Sequence, residues 1–291
     1  MSKFNFASLG PWSKGMFVGV KASNIPNDGL LDALNVDVLP EGSVVSAPWW
    51  LKIDSSIVHS LFVCNDRVYG VVDGQVGEIT EFGFLGFGST DASRLAWTEI
   101  AGVPYFTDGF GVFRLDGSIT RLQANADADD LDDRVVDMPG GQYITYWNGR
   151  IVVAKGSELL FSQPLRYGAH NLLTDYIELG EDVTWLAGLE TGLFVGLPDR
   201  VLFLDGVTPS EMRVRVVAGQ SAPGACLVVD GEMIGKPSAG RFVVFFTSSG
   251  FALGDGQGMV AHPQAAQVRN LPLHEGIIVR DGYRLFFIRR L

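Results

Sequence analysis

The sequence predicts an all-β protein made of many short antiparallel strands, and three observations support this prediction. Asp-Gly or Asn-Gly pairs, which supply the positive φ angles of tight hairpin turns, recur along the whole chain. They begin at Asp28, Asp73, Asp108, Asp116, Asn148, Asp205, Asp230, Asp255 and Asp281. β-branched and aromatic residues flank these pairs, as expected for strands. No stretch of a dozen residues holds a 3.6-residue apolar period without an interrupting Gly or Pro.

A loose repeat groups these hairpins into larger units. Residues 60–69, 192–204 and 276–288 each run from an apolar strand through an Asp-Arg or Asp-Gly turn into a second apolar strand. Hairpins of this kind recur roughly every 35 to 50 residues, a period that is typical of β-propeller blades, in which antiparallel sheets are arranged radially. We therefore predict a β-propeller domain of five or six blades over residues 51–291.

The first fifty residues have a different character. Prolines interrupt them at positions 11, 26, 40 and 48, which disfavours regular sheet and favours an extended arm that becomes ordered by lying on another surface. The arm carries large apolar side chains suited to docking. We predict that five of them contact a neighbouring subunit: Trp12, Met16, Phe17, Trp49 and Trp50. The alternative is that residues 1–50 form an ordinary first blade with an irregular start.

Composition and charge narrow the class of protein. An apolar fraction of 47% and a charged fraction of 19% exclude a disordered chain and a coiled coil, because both need more charge and less apolar bulk. The net charge of −11 opposes binding of nucleic acid over the whole surface, since neutralising phosphates takes clustered Lys and Arg. No apolar run approaches the length of a membrane span, and the N-terminus lacks the apolar segment of a signal peptide. We expect a protein that is made and kept soluble in the cytoplasm.

The sequence contains no motif for catalysis, cofactor binding or metal binding. Cys64 and Cys226 lie far apart and form no C-x-x-C pair, so we expect two free thiols in a reducing compartment. The four histidines show no metal-ligand spacing, and neither a phosphate-binding P-loop nor a G-x-S-x-G elbow occurs. We therefore expect no cofactor, no metal ion and no enzymatic activity.

A propeller glycosidase is the enzyme that the sequence leaves open. Glycosidases place paired carboxylates on either side of the scissile bond, and the candidates here are Asp108, Asp116 and Asp205. Each of the three stands in an Asp-Gly pair, where turn formation alone explains the aspartate. No repeated Arg or Asp pattern accompanies them, so this remains the weaker alternative.

A glycine-rich segment, residues 83–89 (GFLGFGS), contains two phenylalanines and follows a third. It precedes no predicted helix, so it lacks the helix N-terminus that binds anions in phosphate-binding loops. We predict a flexible loop, and the aromatic residues in it or next to it are Phe82, Phe84 and Phe87.

The densest acidic run spans residues 127–133. Its carboxylates belong to Asp127, Asp129, Asp130, Asp132 and Asp133. The run does not match a calcium-binding EF-hand loop, because the sixth position is Asp132 rather than Gly and the twelfth is Met138 rather than Glu. We expect a solvated acidic loop without a bound metal ion.

Three segments carry a family resemblance. In the first segment, residues 15–20 contain Gly-Met, and residues 30–44 contain Ala-Leu-Asn-Val-Asp followed by an acidic Gly turn. In the second, residues 160–168 contain Ser-Gln-Pro, and a strand-like stretch follows them. In the third, residues 243–258 contain Thr-Ser-Ser-Gly. In content and order, these segments resemble the β-propeller virion proteins of tailed bacteriophages, which include tail hub or nozzle proteins and packaged-DNA stabilisation proteins. Residues 47–49 (Ala-Pro-Trp) depart from the family, which often carries arginines there, so no contact made by those arginines transfers to this chain.

The resemblance implies a non-enzymatic structural role in the virion, in a tail nozzle, hub or connector. Several copies arranged as a homo-oligomeric ring, with a hexamer as one arrangement, would enclose a passage for double-stranded DNA and contact other tail proteins. The phenylalanines at positions 82, 84 and 87 would narrow this passage. The aspartates of residues 127–133 would keep DNA from adhering to its wall by like-charge repulsion. The alternative is a module at the tail tip that binds a host receptor or carbohydrate.

Overall fold

The computed structural model describes residues 36–38, 44–46, 57–124, 134–234, 240–266, 268–281 and 284–289. Over these residues the chain is all β apart from two short 3-10 helices, Pro209–Glu211 and Gly231–Ile234, which confirms the predicted fold class. None of the helices in this described part is long and apolar enough to cross a membrane. Strands β1 (Val36–Val38) and β2 (Val44–Ser46) pair with each other in antiparallel fashion. Part of the segment 1–50 is therefore a β-hairpin.

The first half of the main body contains three sheets of four strands each. The first sheet has β3 (Val58–Cys64), β4 (Arg67–Val72), β5 (Gln75–Thr80) and β6 (Gly83–Ser89). The second has β7 (Ala96–Ile100), β8 (Val103–Thr107), β9 (Val112–Leu115) and β10 (Ile119–Arg121). Strand β11 (Val135–Asp137) follows. The third sheet has β12 (Tyr143–Trp147), β13 (Arg150–Lys155), β14 (Glu158–Phe161) and β16 (Tyr176–Glu178), and β15 (Ala169–Asn171) pairs with β11.

The second half contains two further four-stranded sheets and one pair of strands. The fourth sheet has β17 (Trp185–Gly188), β18 (Gly192–Gly196), β19 (Arg200–Asp205) and β20 (Arg213–Gly219). The fifth has β21 (Ser221–Asp230), β22 (Arg241–Thr247), β23 (Gly250–Gly254) and β24 (Val260–Ala261). The last sheet has β25 (Gly276–Asp281) and β26 (Arg284–Arg289) in the described residues.

The sheets are arranged radially, with the first strand of each nearest to the centre. Strand β3 contacts β7, β7 contacts β12, β12 contacts β17, β17 contacts β21, and β21 contacts β25. Within every sheet all neighbouring strands are antiparallel and follow one another in sequence order, apart from the β15 excursion in the third sheet. The chain is therefore a β-propeller. Its five four-stranded sheets and one shorter sheet agree with the predicted five or six blades.

Five buried apolar clusters fill the spaces between neighbouring sheets. Trp147 and Phe161 of the third sheet pack against Leu193 of the fourth. Trp185 of the fourth sheet stacks on Phe245 of the fifth, with ring centroids 5.3 Å apart. Because each sheet uses one face against the preceding neighbour and one against the following neighbour, both faces of the central sheets are apolar. This explains the high apolar fraction of the sequence.

The structure confirms some of the predicted turns and corrects others. Asp73-Gly74 and Asn148-Gly149 have positive φ at both residues and close tight hairpins. The pairs at Asp205 and Asp230 do not form tight two-residue turns, because each is followed by a 3-10 helix within a longer connection between two paired antiparallel strands.

The predicted flexible loop at residues 83–89 is wrong. This segment is β6, the outermost strand of the first sheet, and it pairs along β5. A glycine on the partner strand makes room for Phe84, because a Cβ at Gly77 on β5 would lie 2.6 Å from its ring. This packing stabilises β6 despite the glycines in the strand.

Candidate functional site

The outward side of the first sheet is apolar and exposed. Val63, Val68, Ile79 and Phe84 are in register across its four strands and so share one face. Leu61 joins them, because its Cδ2 would lie 2.9 Å from a Cβ at Gly70. We call these five residues the first-sheet face. Leu61 is 60% exposed and Val63 is 63% exposed, whereas Val68, Ile79 and Phe84 are half-buried. The described part of the chain therefore covers this face only in part.

A bulge in β3 fixes the shape of this face. The pairing of β3 with β4 shifts between His59 and Phe62, and Ser60 adopts a φ of 56°. Ser60 Oγ accepts a hydrogen bond from Leu95 N at 2.8 Å, and the Ser60 carbonyl accepts one from Trp97 Nε1 at 2.7 Å. Since both donors belong to or adjoin the second sheet, the bulge is anchored there and holds Leu61 on the outward side.

The last sheet also has an apolar outward side. Ile277 and Ile288 are paired across its two strands and are both about half exposed. Their neighbours Ile278 and Phe287 point the other way and pack against the fifth sheet, where the Phe287 ring stacks on Phe246 at 4.1 Å. The first and last sheets of the series therefore both present uncovered apolar side chains.

A cluster of side chains from several sheets lies near the centre of the propeller. Arg94 Cζ lies 4.9 Å from the ring centroid of Tyr143, at the start of the third sheet. Burial raises the pKa of Tyr143. The charge of Arg94 lowers this pKa, whereas Cys226 and Glu275 raise it further. Burial also raises the pKa of Cys226 to about 12. At neutral pH its thiol is protonated and a poor nucleophile, so this cluster joins the inner strands without offering a reactive group.

A cleft of about 550 Å³ separates the first and second sheets, and we call it the first cleft. Its wall contains an ion pair between Arg67 Nη1 and Glu78 Oε2, at 3.5 Å. Apolar and aromatic surface comes from Tyr69, Leu85 and Phe87. An aromatic wall beside paired charged groups has the chemistry of a site for small polar ligands.

The three aspartates considered for glycosidase chemistry lie apart. Asp108 Oδ1 accepts hydrogen bonds from Phe110 N and Gly111 N at 2.8 and 2.9 Å, so it shapes the connection from β8 to β9. Asp116 pairs with Arg114 beyond the other end of β9, and Asp205 ends β19 in the fourth sheet. These three aspartates therefore do not form the carboxylate pair that such an enzyme requires.

Two of the four histidines have local structural partners. His170 is buried, and its Nδ1 lies 2.9 Å from the carbonyl oxygen of Phe161. His59 Nδ1 lies 2.9 Å from Ser60 Oγ in the bulge. In the ranges that the structure describes, no group of three or more His, Cys, Asp or Glu side chains is placed to hold a metal ion.

The aromatic residues predicted to line a DNA passage have different environments. Phe82 is 92% exposed in the turn between β5 and β6. Phe84 belongs to the first-sheet face, and Phe87 is half-buried beside the first cleft. The other predicted residues lie outside the described residues: Asp127, Asp129, Asp130, Asp132, Asp133, Trp12, Met16, Phe17, Trp49 and Trp50.

Comparison with known proteins bears on the fold alone. No protein family profile and no curated protein sequence matches the chain. Among solved structures, the streptogramin B lyase structure is similar at 14% identity and a TM-score of 0.51, covering 82% of this chain and 78% of that one. The extracellular domain of a putative hybrid two-component system from B. thetaiotaomicron is similar at 10% identity and a TM-score of 0.48, covering 85% of this chain. This chain spans about a third of that protein's length (33%).

Proposed function

We propose that this protein is a non-enzymatic structural subunit of a tailed-phage virion that assembles into a ring in the tail nozzle, hub or connector. The observation that carries the proposal is the first-sheet face, an apolar surface on which Leu61 and Val63 are exposed. Contiguous exposed apolar surface of this kind marks protein–protein contact sites. Covering one side chain such as Leu61 or Val63 stabilises a contact by about 1.5–3 kcal/mol.

The geometry of the two terminal sheets favours a ring over a two-fold dimer. The first-sheet face and the pair Ile277 and Ile288 are different surfaces on different sheets. A contact between the first-sheet face of one copy and the Ile277 and Ile288 surface of the next copy is heterologous. Heterologous contacts generate closed rings when the rotations from each subunit to the next add up to a full turn. The family resemblance in the sequence supports placing such a ring in a virion, with DNA passing through it. Phe82, on an exposed turn, is the described residue best placed to project from the subunit.

The experiment is to tag the chain in the genome that encodes it, purify the particles, and count its copies by quantitative mass spectrometry. Cryo-electron microscopy of the same particles locates the tag. The proposal predicts a fixed number of copies, the same from one preparation to the next, at the tail or connector. Particles that form normally without the chain, or that lack it while it stays in the lysate, would contradict the proposal.

A carbohydrate-binding role at the tail tip is the second candidate, and the first cleft is the observation that favours it. Aromatic side chains such as Phe87 provide apolar surface for a sugar ring, and Arg67 and Glu78 provide hydrogen-bonding groups at the rim. A glycan array with the wild-type protein and the Arg67→Ala variant tests it. This role predicts signals that the variant loses, whereas identical arrays for both proteins count against it.

A further inference from the structure

The hairpin of β1 and β2 has the place in the chain that belongs to the outer half of a propeller sheet. Elsewhere in the propeller, the outermost strand of one sheet is followed by the innermost strand of the next, as β6 is by β7, β20 by β21 and β24 by β25. Strand β2 is likewise followed by β3, the innermost strand of the first sheet. By chain order, β1 and β2 are therefore the third and fourth strands of a sheet that lies before the first.

The last sheet supplies the other half of such a sheet. Strand β25 contacts β21 of the fifth sheet, so β25 is the innermost strand and β26 is the second. In the residues that the structure describes, this sheet has no third or fourth strand, and β1 and β2 pair only with each other. We propose that β1 of one copy pairs in antiparallel fashion with β26 of the next copy, which gives a sheet of the order β25-β26-β1-β2 built from two chains. The inference rests on the proposed ring and names the strands that join its subunits.

Strand β26 offers a long edge for this pairing. It pairs with β25 along its whole length, six residues from Arg284 to Arg289. Its other edge is not paired with any strand in the described part of the chain. The strand reads RLFFIR and contains neither Pro nor Gly, the residues that interrupt strand pairing. An apolar edge strand of this kind is a template for pairing with another chain.

The hairpin in turn needs a sheet to join. Its pairing comprises three residue pairs, from Val36 with Ser46 to Val38 with Val44. An isolated two-stranded hairpin is at best marginally stable in water. Four of the six strand residues are valine, which favours an extended strand within a larger sheet. Pairing of β1 with β26 gives the hairpin backbone hydrogen bonds along a second edge, the usual source of affinity in strand addition.

The partner strand comes from another copy because the first and last sheets of a single chain leave each other uncovered. Leu61 and Val63 on the first sheet are exposed, and Ile277 and Ile288 on the last sheet are about half exposed. When the first-sheet face of one copy contacts the Ile277 and Ile288 surface of the next, β3 of the first copy lies beside the last sheet of the second. The hairpin that precedes β3 is then adjacent to the free edge of β26 in the next copy.

The connection between the hairpin and β3 is long enough for this arrangement. Residues 47–57 join β2 to β3, and a chain of this length spans up to about 36 Å when it is extended. The distance from the innermost to the outermost strand of a four-stranded sheet is about 14 Å, since neighbouring strands are about 4.8 Å apart. The hairpin of one copy therefore reaches the two outer positions of the next copy's last sheet.

Chemical cross-linking of full-length chains with two introduced cysteines tests the proposal. The double variants are Asp37→Cys with Arg284→Cys and Asp37→Cys with Arg289→Cys, which join the middle of β1 to either end of β26. A bis-maleimide with a reach of about 10 Å covers one end or the other in any register, because β26 is about 20 Å long. We expect at least one double variant to give covalent oligomers, in multiples of the 31.5 kDa chain, on a denaturing gel.

Two controls assign the cross-link to these strands. Wild type treated with the same reagent accounts for the native cysteines. Asp37→Cys with Arg213→Cys places the second thiol on β20 of the fourth sheet and should give no covalent oligomer. A product that keeps the mass of one chain would show that the hairpin pairs within its own copy and would overturn the proposal, as would oligomers of the Arg213→Cys control in equal yield.

Sedimentation velocity of the same proteins separates this inference from the ring itself. A closed oligomer in which neither β26 position cross-links to β1 would overturn the strand exchange and leave the ring proposal standing. A wild type that stays monomeric would overturn both.

A matched pair of variants at one position tests whether the backbone of β1 makes the contact. Asp37→Pro removes the N–H in the middle of β1, whereas Asp37→Asn keeps it. We expect Asp37→Pro to raise the dissociation constant of the oligomer by about tenfold or more, with the thermal midpoint of the propeller unchanged, and Asp37→Asn to assemble like the wild type. Assembly of Asp37→Pro with wild-type affinity, or equal losses in the two variants, would overturn the proposal.

Discussion

The guanidinium of Arg150 and the carboxylate of Asp175 form a buried ion pair in the third sheet, with Nη1 and Oδ1 3.2 Å apart. Both residues are less than a tenth exposed. Arg150 Nη1 also donates to the Ser162 carbonyl at 2.6 Å, and Asp175 Oδ2 accepts the Asn171 N–H at 3.1 Å. The network ties both ends of the connection between β14 and β16 to the sheet. The pair therefore holds this connection, which contacts the second sheet through the rings of Tyr167 and Tyr105.

Replacing one member of this pair should destabilise the fold strongly. Asp175→Asn leaves the Arg150 charge buried without a counter-ion, and we expect the free energy of unfolding to fall by about 3–5 kcal/mol in urea titrations. Asp116→Asn is the control, because its pair with Arg114 is largely exposed and such pairs contribute less than about 1 kcal/mol. Equal losses of unfolding free energy in the two variants would show that burial does not determine how much an ion pair contributes to stability.

Gly196 should tolerate no side chain. A Cβ at this position would overlap the indole ring of Trp185, which is fully buried and donates through Nε1 to Ser221 Oγ at 2.8 Å. We expect Gly196→Ala to lower the thermal midpoint, with a cost of about 1–3 kcal/mol or more from overpacking. Gly219→Ala is the matched control, since a Cβ there meets no atom within 4 Å. A midpoint for Gly196→Ala within error of the control would contradict this packing.

The two thiols should react slowly in the folded protein. Burial, and then the nearby Glu99, raises the pKa of Cys64 to about 12, and burial raises that of Cys226 to about 12. Because the thiolate is the reactive form, we expect little modification by a thiol reagent at pH 8 in buffer and two reactive thiols in denaturant. Rapid modification of two thiols without denaturant would show that these sites are open.

Alkaline pH should weaken the fold. The folded pKa values of Cys64, Cys226 and Tyr167 are all about 12, above the ordinary values of 9.0 for a thiol and 10.0 for a phenol. A raised folded pKa means that the folded state retains the proton longer, so stability is full below pH 9 and falls as pH rises towards 12. Urea titrations from pH 8 to 11 measure this slope. Tyr167→Phe should make the loss of stability above pH 10 less steep. An unchanged slope would show that Tyr167 does not contribute to this loss.

Local sequence explains the parts of the fold that were predicted. Asp73-Gly74 and Asn148-Gly149 adopt the left-handed angles that these residues favour, so their hairpins follow from two adjacent positions. Strand β6 could not be predicted in this way. Its glycines disfavour a strand locally, and pairing with β5 and the packing of Phe84 over Gly77 overcome that preference.

The first cleft is not visible in the sequence for a related reason. Tyr69 and Leu115 are far apart in the chain and belong to no motif, and only the radial packing of the first and second sheets brings them to one cavity. The first-sheet face is partly visible, because Leu61 and Val63 stand in an apolar strand. Whether such a strand is covered depends on the neighbouring sheets, which the local pattern does not specify.

The most direct test of the assembly proposal is the mass of the particle in solution for the wild type and Val63→Asp, measured by sedimentation velocity. Val63→Asp places a charge on the β3 side of the first-sheet face, where burial without a partner is costly. We predict a closed oligomer for the wild type, a folded monomer with an unchanged thermal midpoint for Val63→Asp, and an intact oligomer for the control Val216→Asp, which is exposed on β20. A wild type that stays monomeric, or a Val63→Asp variant that still assembles, would contradict the account.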